Sequence, residues 1–575
     1  MKVNVKVSEL LDKLVFIPED RSKDNEIRNK LSKENPTIRF NRGAEGISVS
    51  AWQVPYLSLQ GKDINFCWTE LAKVFFDNRV TSLKYMPDVV NRVKKIREGG
   101  EKVAKEFLKG RPGFNVLDGH QWVNVSCMTL PNSCGLCVFD EQGAGKTVTM
   151  IYAFDELVER DEVDFAIILA PKSMVSEWPV DFEKFMKDRF KVHTLTGNAA
   201  EKRALISKEA DVFVTNFETA ILMEREISAL LRKYKGRGIL VVDESFFVKN
   251  LDAKRTQSIR RLREYCNRAF VLCGTPAPNS PEDLIQQFNT VDFGYTFKDV
   301  LLPKEKKSAA QLIQNIIEER GPFVRHLKSK VLPNLPIKQF KTVSVRMSPM
   351  QKKLYSKFAD DLRSELEEID EAKFNKNKLS YLAKRSALLQ ICSNPASIDQ
   401  NYKETPGKVS LIDSILEDLI VKNGEKVVMW SFYTETLSAL FKRYKQYRPV
   451  RYDGSITDTA VRREAVRSFQ EDKQTMLFIG NPAAAGAGLN LQSARVAIYE
   501  SMSNQAAHYL QSLDRIHRRG QTKNVEYLIL LCEGTLEFYE YDRLIKKEQT
   551  AQSLLGDEVQ NITREIMLAE LVKNK

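Results

Sequence analysis

Between residues 113 and 295 the chain alternates between two textures. Short apolar runs rich in β-branched residues, DFAIILAPK, ADVFVTNFE, GILVVDES and RAFVLCGTP, are separated by charged stretches with helical spacing. Buried strands that read as continuous hydrophobic runs, joined by helices, predict βαβ units and a parallel sheet. A second series runs from about 407 to 545: EKVVMWSFY, PVRYDGSI, QTMLFIGNP, ARVAIYES and NVEYLILLC. It opens on an amphipathic helix with Ile412, Ile415, Leu416, Leu419 and Ile420 on one face. Between the two series the chain is charged and helix-forming, as in SPMQKKLYSKFADDLRSELEEIDEAKF.

The expected organisation is therefore α/β. It has an α+β accessory domain over 1–110 and a first parallel-sheet lobe over 111–345, with a helical protrusion from about 296. A helical linker follows over 346–405, then a second parallel-sheet lobe over 406–545. A helical brace over 546–575 is expected to pack back on the first lobe. At 575 residues the chain is too long for one core, and roughly three to five domains are expected.

Composition narrows the class. No run of about 18 apolar residues is present, and the first residues, MKVNVKVSELLDKLVF, carry charges throughout and no cleavage signal. The expectation is a cytoplasmic, monomeric protein with no membrane contact, from a bacterial, phage or other viral source. A net charge of +12 is compatible with a nucleic-acid partner. The basic stretch VVNRVKKIREGGEKVAKEFLKGR reads as a solvated helix face.

Chemistry gathers in three places. The first is DEQGAGKT, a glycine loop between a strand and a helix, which turns backbone N–H groups toward phosphate. Gly143, Ala144 and Gly145 form the loop, Lys146 reaches the β- and γ-phosphates, and the Thr147 hydroxyl ligates Mg²⁺. Just ahead stand Cys134 and Cys137 at metal-ligand spacing. No second such pair exists in the chain, so they read as core thiols. The second place is VVDES, where Asp243 ends an apolar strand and would hold Mg²⁺. Glu244 beside it would orient or deprotonate the attacking water. The third is QSLDRIHRRG. Arg515 and Arg518 are three apart, one helical turn, so both guanidiniums are expected to point the same way and to stabilise charge on the γ-phosphate.

In this order and spacing the sequence resembles the Swi/Snf ATPases of helicase superfamily two. LDGHQ, DEQGAGKT, LAPKSMVSEW, VTNFE, VVDESFFVKN and LCGTPAPNS resemble the segments of the family's first lobe. VRHLKSKVLPNLPIK and LLQICSNPA resemble its linker. VVMWSFYTETL, YDGSI, AGAGLNLQSA and QSLDRIHRRGQ resemble the second lobe.

The resemblance implies two RecA-like lobes that use ATP and Mg²⁺ to move along double-stranded or branched DNA without reading its sequence. It assigns adenine reading to Gln121 and a further nucleotide contact to Gly488. DNA contacts fall on Ser173, Thr215, Asn216, Lys249, Asn250, Asn279 and Ser431. The accessory domain would meet a protein partner. Two alternatives stay open: a strand-separating helicase or motor subunit of a DNA-processing complex, and an ATP-gated DNA clamp with weak motor action.

Three departures from the family pattern stand out. Phe246 replaces a histidine. Asn504, Gln505 and Ala506 replace Trp-Asn-Pro. The glycine-rich loop begins NPAAAG.

Overall fold

The structure, a computed structural model, describes residues 1–60, 63–108, 113–277, 280–332, 334–484, 489–503, 506–551 and 562–572. They fall into two compact units that divide between Val331 and Leu332.

Unit one holds two sheets. The N-terminal sheet is built from β1 (Lys2–Val7), β2 (Lys13–Pro18), β3 (Asn41–Gly43), β4 (Gly46–Ser50) and β5 (Asn65–Trp68), in the order β3-β4-β2-β1-β5. Its pairings are antiparallel except β1 with β5. Alternation is clear in β1, where Val3 and Val5 are buried among Phe16, Ile47 and Phe75. The helix Glu70–Leu83 fastens this domain to the rest of the unit. Its Arg79 guanidinium, 2% exposed, donates twice to the Glu264 carboxylate at 3.1 and 2.9 Å. The next helical stretch, Met86–Phe107, breaks at Gly100 and is less solvated than its composition suggests. Val89, Val93 and Ile96 are buried, Lys94 donates to Glu319 O at 3.0 Å, and Arg97 lies over the Phe323 ring.

The second sheet of unit one is wholly parallel. It comprises β6 (Gly135–Val138), β7 (Phe165–Ala170), β8 (Val192–Thr194), β9 (Val212–Asn216), β10 (Gly236–Asp243), β11 (Cys266–Leu272) and β12 (Phe323–Val324). Their order is β12-β6-β11-β10-β7-β9-β8. Both faces are covered. Phe165, Ile167, Leu169, Leu240 and Val242 enter one core, while the intervening Ile168 and Val241 are just as buried on the other face. This two-sided burial is why these strands lack alternation in the sequence.

Unit two is a six-stranded parallel sheet of β13 (Lys338–Val345), β14 (Val427–Trp430), β15 (Val450–Tyr452), β16 (Leu477–Gly480), β17 (Val496–Tyr499) and β18 (Val525–Cys532). The order is β13-β18-β17-β14-β16-β15. Period-two geometry divides its side chains between two cores. Val427, Met429, Leu477, Ile479 and Ile498 face the helices Pro349–Glu367, Lys378–Ser393 and Gly407–Leu416. Val428, Trp430, Phe478, Ala497 and Tyr499 face Phe469, Tyr509 and Leu513. At the first core, Lys408 is fully buried and donates to Glu537 Oε1 and to Glu500 O, each at 2.5 Å.

Two expected boundaries shift. The expected lobe boundary at 345 moves forward: β13 pairs with β18 over eight positions and belongs to the sheet of unit two. The C-terminal brace was expected on the first lobe. The helix Arg564–Val572 instead packs within unit two, burying Met567 and Leu571 in its core and pairing Glu570 with Arg385 at 2.9 Å.

Candidate functional site

Register places the chemistry. Val138 at the end of β6 pairs with Leu272 of β11, and Leu272 pairs with Asp243 of β10. The glycine loop, the Asp243–Glu244 pair and the Cys273–Gly274 turn therefore emerge side by side at the carboxyl edge of the first sheet, where parallel α/β sheets bind ligands. Gly145, at φ 86°, turns the chain into the helix Lys146–Glu159. Gly274 is tightly enclosed, because a Cβ there would stand 3.0 Å from Gln142 N and 3.4 Å from Lys146 Nζ.

Lys146 is 8% exposed, and its ammonium donates to Asp140 O at 3.0 Å and Gln142 Oε1 at 2.9 Å. Thr147 is half-buried in the first helical turn. Glu244 adopts a left-handed conformation, φ 50°, which for a non-glycine residue marks a constrained position. Its Oε1 accepts from Gln142 Nε2 at 2.5 Å, while its Oε2 is buried and accepts no hydrogen bond. Asp243 accepts from Trp178 Nε1 at 3.2 Å and from Glu244 N at 2.9 Å. Burial, and after it the neighbouring Glu244 charge, pushes the Asp243 carboxyl up to about 7, against the opposing pull of Lys146. The buried Asp243 carboxylate is an oxygen donor of the kind a divalent cation takes.

Asp140, which stands where a simpler phosphate-loop pattern has glycine, is a hub. It is fully buried and accepts from Asn124 Nδ2 at 2.6 Å, His326 N at 2.8 Å and His326 Nδ1 at 2.9 Å. Burial works to raise its pKa. The hydrogen bonds and charge of His326, with the Asn124 bond, outweigh that and hold the carboxyl below its usual range. Replacing Asn124 by alanine leaves Asp140 Oδ2 without this donor. The expected cost is about 1–3 kcal/mol, read as a lower thermal midpoint together with a raised KM for ATP; an unchanged midpoint would show that the bond carries no load.

Other residues around the loop escape sequence reasoning. Lys328 is 5% exposed and its backbone N–H donates to Glu141 Oε2 at 2.5 Å. Its side chain lies over the loop, Nζ being 3.4 Å from where a Cβ on Gly143 would stand. His120 Nε2 donates to Ala144 O at 2.7 Å. His120 lies in the LDGHQ segment and Lys328 in VRHLKSKVLPNLPIK, and neither segment's pattern singles out the residue. Gln121, the adenine reader by resemblance, uses its amide locally. Oε1 accepts from Asp118 N at 2.9 Å in a helix cap, and Nε2 approaches Ala144 O at 3.5 Å.

Cys137 lies in β6, and Cys134 precedes it with Sγ 3.2 Å from Met86 Sδ. Burial pushes the Cys134 thiol up to about 12 and Cys137 well above its usual value. Phe246 stacks on Phe247 with ring centres 4.4 Å apart.

In unit two the helix Ala506–Leu513 ends before Arg515, so the two arginines occupy the turns that follow and not a helix face. Their guanidiniums still converge. Arg515 Nη1 and Arg518 Nη1 both donate to Leu489 O, at 3.4 and 3.3 Å. Gly488, Asn504 and Gln505 lie outside the described residues, as does Asn279.

The residues assigned to DNA differ in exposure. Asn250 is exposed, Lys249 is half-buried 3.8 Å from Asp283, and Ser173 is half-buried in the turn after β7. Asn216 Oδ1 caps the helix Phe217–Leu222 by accepting from Thr219 N at 2.8 Å. Thr215 is fully buried, and Ser431, also fully buried, donates to Glu500 Oε2 at 2.8 Å. Neither hydroxyl is presented at the surface.

Residues 60–397 match the sequence model of the SNF2-related domain, and residues 407–520 match the helicase conserved C-terminal domain. An uncharacterized ATP-dependent helicase of Mycoplasma genitalium is 26% identical, over 79% of this chain and 43% of its own length. A RAD54-like DNA repair and recombination protein of Gallus gallus is 25% identical, over 85% of this chain and 74% of its own. The chain spans about half the length of the mycoplasma relatives it matches. Among solved structures, the Sulfolobus solfataricus SWI2/SNF2 ATPase core in complex with double-stranded DNA aligns over 76% of this chain and 93% of its own, with 21% identity and a TM-score of 0.36.

Proposed function

The chain belongs to the SNF2-related family of helicase-like ATPases, and from that premise we propose that it hydrolyses ATP to translocate along double-stranded DNA and so remodels protein–DNA complexes or branched DNA. The observation that carries this reading is the shared edge of the first sheet, where Lys146, Asp243 and Glu244 meet through the Val138–Leu272–Asp243 register. The loop N–H groups and Lys146 bind the phosphates. Asp243 and Thr147 would hold Mg²⁺, which when bound neutralises charge on the phosphate oxygens. Glu244, with one oxygen fixed by Gln142 and the other uncommitted, takes the proton of the attacking water. In unit two, Arg515 and Arg518 converge on Leu489 O and carry the permanent positive charge that suits stabilisation of a phosphoryl transition state. Contact with the DNA runs through phosphates and carries no sequence preference.

The test compares ATP turnover without DNA and with duplex, single-stranded, forked and four-way-junction DNA, alongside triplex displacement and forked-duplex unwinding. Duplex-stimulated turnover that falls steeply with salt, together with triplex displacement, is expected. Unwinding without triplex displacement would instead identify a strand-separating helicase. Turnover indifferent to every DNA would end the motor reading.

A further inference from the structure

A cavity of about 270 Å³ lies within unit one, between the N-terminal domain and the first parallel sheet. It is separate from the catalytic edge, and its charges do not balance. Three guanidiniums, those of Arg79, Arg260 and Arg263, and the Lys298 side chain line it, against the carboxylates of Glu264 and Asp12. Glu264 is taken up by Arg79. Asp12 accepts from Ser8 Oγ at 2.7 Å and lies 3.8 Å from Lys13 Nζ. Arg263 is satisfied by four backbone carbonyls, Thr290 O, Cys266 O, Cys134 O and Val291 O.

Arg260 is left with one bond, from Nη2 to Leu11 O at 3.1 Å, and among the described residues no carboxylate lies within ion-pair distance of it. Burial, reinforced by repulsion from Arg79 and only partly offset by the more distant Glu264 and Asp12 charges, lowers its pKa to about 10, so it remains charged at neutral pH. A largely buried cation without its own counter-charge is costly, and it attracts an anion.

The remaining wall is apolar. Trp52, Phe293, Phe297 and Leu302 line it. At its side the Asn289 Oδ1 atom is buried and accepts no hydrogen bond, which offers a partner for a ligand N–H or O–H. A site with one uncompensated guanidinium, aromatic walls and one buried acceptor matches a particular ligand chemistry. We infer that this cavity binds a small organic acid whose carboxylate meets Arg260 and whose apolar, hydroxyl-bearing body fills the space between Trp52 and Phe297. A bare phosphate leaves the aromatic wall unmatched. The helix Asp283–Asp292 carries Asn289, and also Gln287, whose Oε1 accepts from Ser245 Oγ at 2.6 Å beside Glu244. One helix is thus common to the cavity and the catalytic edge.

The test is calorimetric titration of the whole 575-residue chain with 4-hydroxyphenylacetate. The acid is expected to bind one to one with a Kd of roughly 1 mM or tighter. The neutral 4-hydroxyphenylacetamide and inorganic phosphate should each bind at least about tenfold more weakly. Arg260→Met should weaken the acid to the level of the amide. Leu302→Trp, which fills the cavity and leaves the charges in place, should abolish binding of both, and it serves where the Arg260 variant does not fold. The inference is overturned by any of four results: no saturable heat with the acid, equal affinity for acid and amide, phosphate as tight as the acid, or displacement of the acid by ADP.

Discussion

Glu244→Gln is expected to lower ATP turnover by about 10³-fold while leaving nucleotide affinity within a few fold of wild type. Glutamine keeps the size of the side chain and can still bond Gln142, so the loop geometry survives. What it loses is the basic oxygen. Glu244 Oε2 is buried and uncommitted within unit one, and it is the atom that can accept a proton from water. Lys146→Ala should give a comparable loss with a different signature. The ammonium that donates to Asp140 O and Gln142 Oε1 is removed, so affinity falls along with turnover. The two variants are separated by measuring binding of a fluorescent ATP analogue beside steady-state hydrolysis. Residual turnover above a tenth of wild type in Glu244→Gln would move the role of general base to another group.

Asp243→Asn should divide activity from stability. Turnover falls by about 10² or more, because the carboxylate that would hold Mg²⁺ is lost. Stability moves the other way. Asp243 in the fold holds its proton up to about 7, well above the ordinary range of an aspartate. As pH rises from 4 to 7 the unfolded carboxyl ionises before the folded one, and that difference favours unfolding. Asparagine does not ionise, so the variant should gain about 4 kcal/mol at pH 8, and the gain should shrink to nothing near pH 4. Thermal denaturation of nucleotide-free protein at several pH values reads this directly. A variant less stable than wild type at pH 8 would mean that Lys146 fully compensates the Asp243 charge. Buried catalytic carboxylates commonly carry such a stability cost.

The sequence reveals most where physics is local or repetitive. The strands of both parallel sheets are legible because burial on two faces leaves unbroken apolar runs, as in Phe165–Ala170 and Val525–Cys532. Lys146, Asp243 and Glu244 are legible because a phosphate loop and a strand-end carboxylate impose residue type and spacing. Long-range partnerships are hidden. Asp140 is anchored by His326, 186 positions away, and nothing near either residue announces the other. The strand Lys338–Val345 is mostly polar and finds its partner almost two hundred residues later, so its texture suggests a linker of the first lobe. Arg515 and Arg518 show a subtler miss. Their guanidiniums converge as helical spacing predicts, yet turns deliver them. The cavity beneath the N-terminal domain is assembled from segments between Leu11 and Leu302, and no motif marks it.

The outermost strand of the second sheet, β13, has a further consequence. It pairs with β18 on one side, and its side chains from Gln339 to Thr342 are largely exposed. An unpaired strand edge invites a second chain to dock, which is the usual route to aggregation. Here the edge carries Lys338 and Lys341, each tied inward to a carboxylate, Asp514 at 3.2 Å and Glu526 at 2.5 Å. A second copy laid along this strand would bring like charges together and disturb both ion pairs. Phe340, the aromatic residue on the strand, stacks on Tyr527 of the neighbouring β18 at 4.9 Å. Solubility is thus written into a polar strand whose residues the ATP chemistry leaves unconstrained.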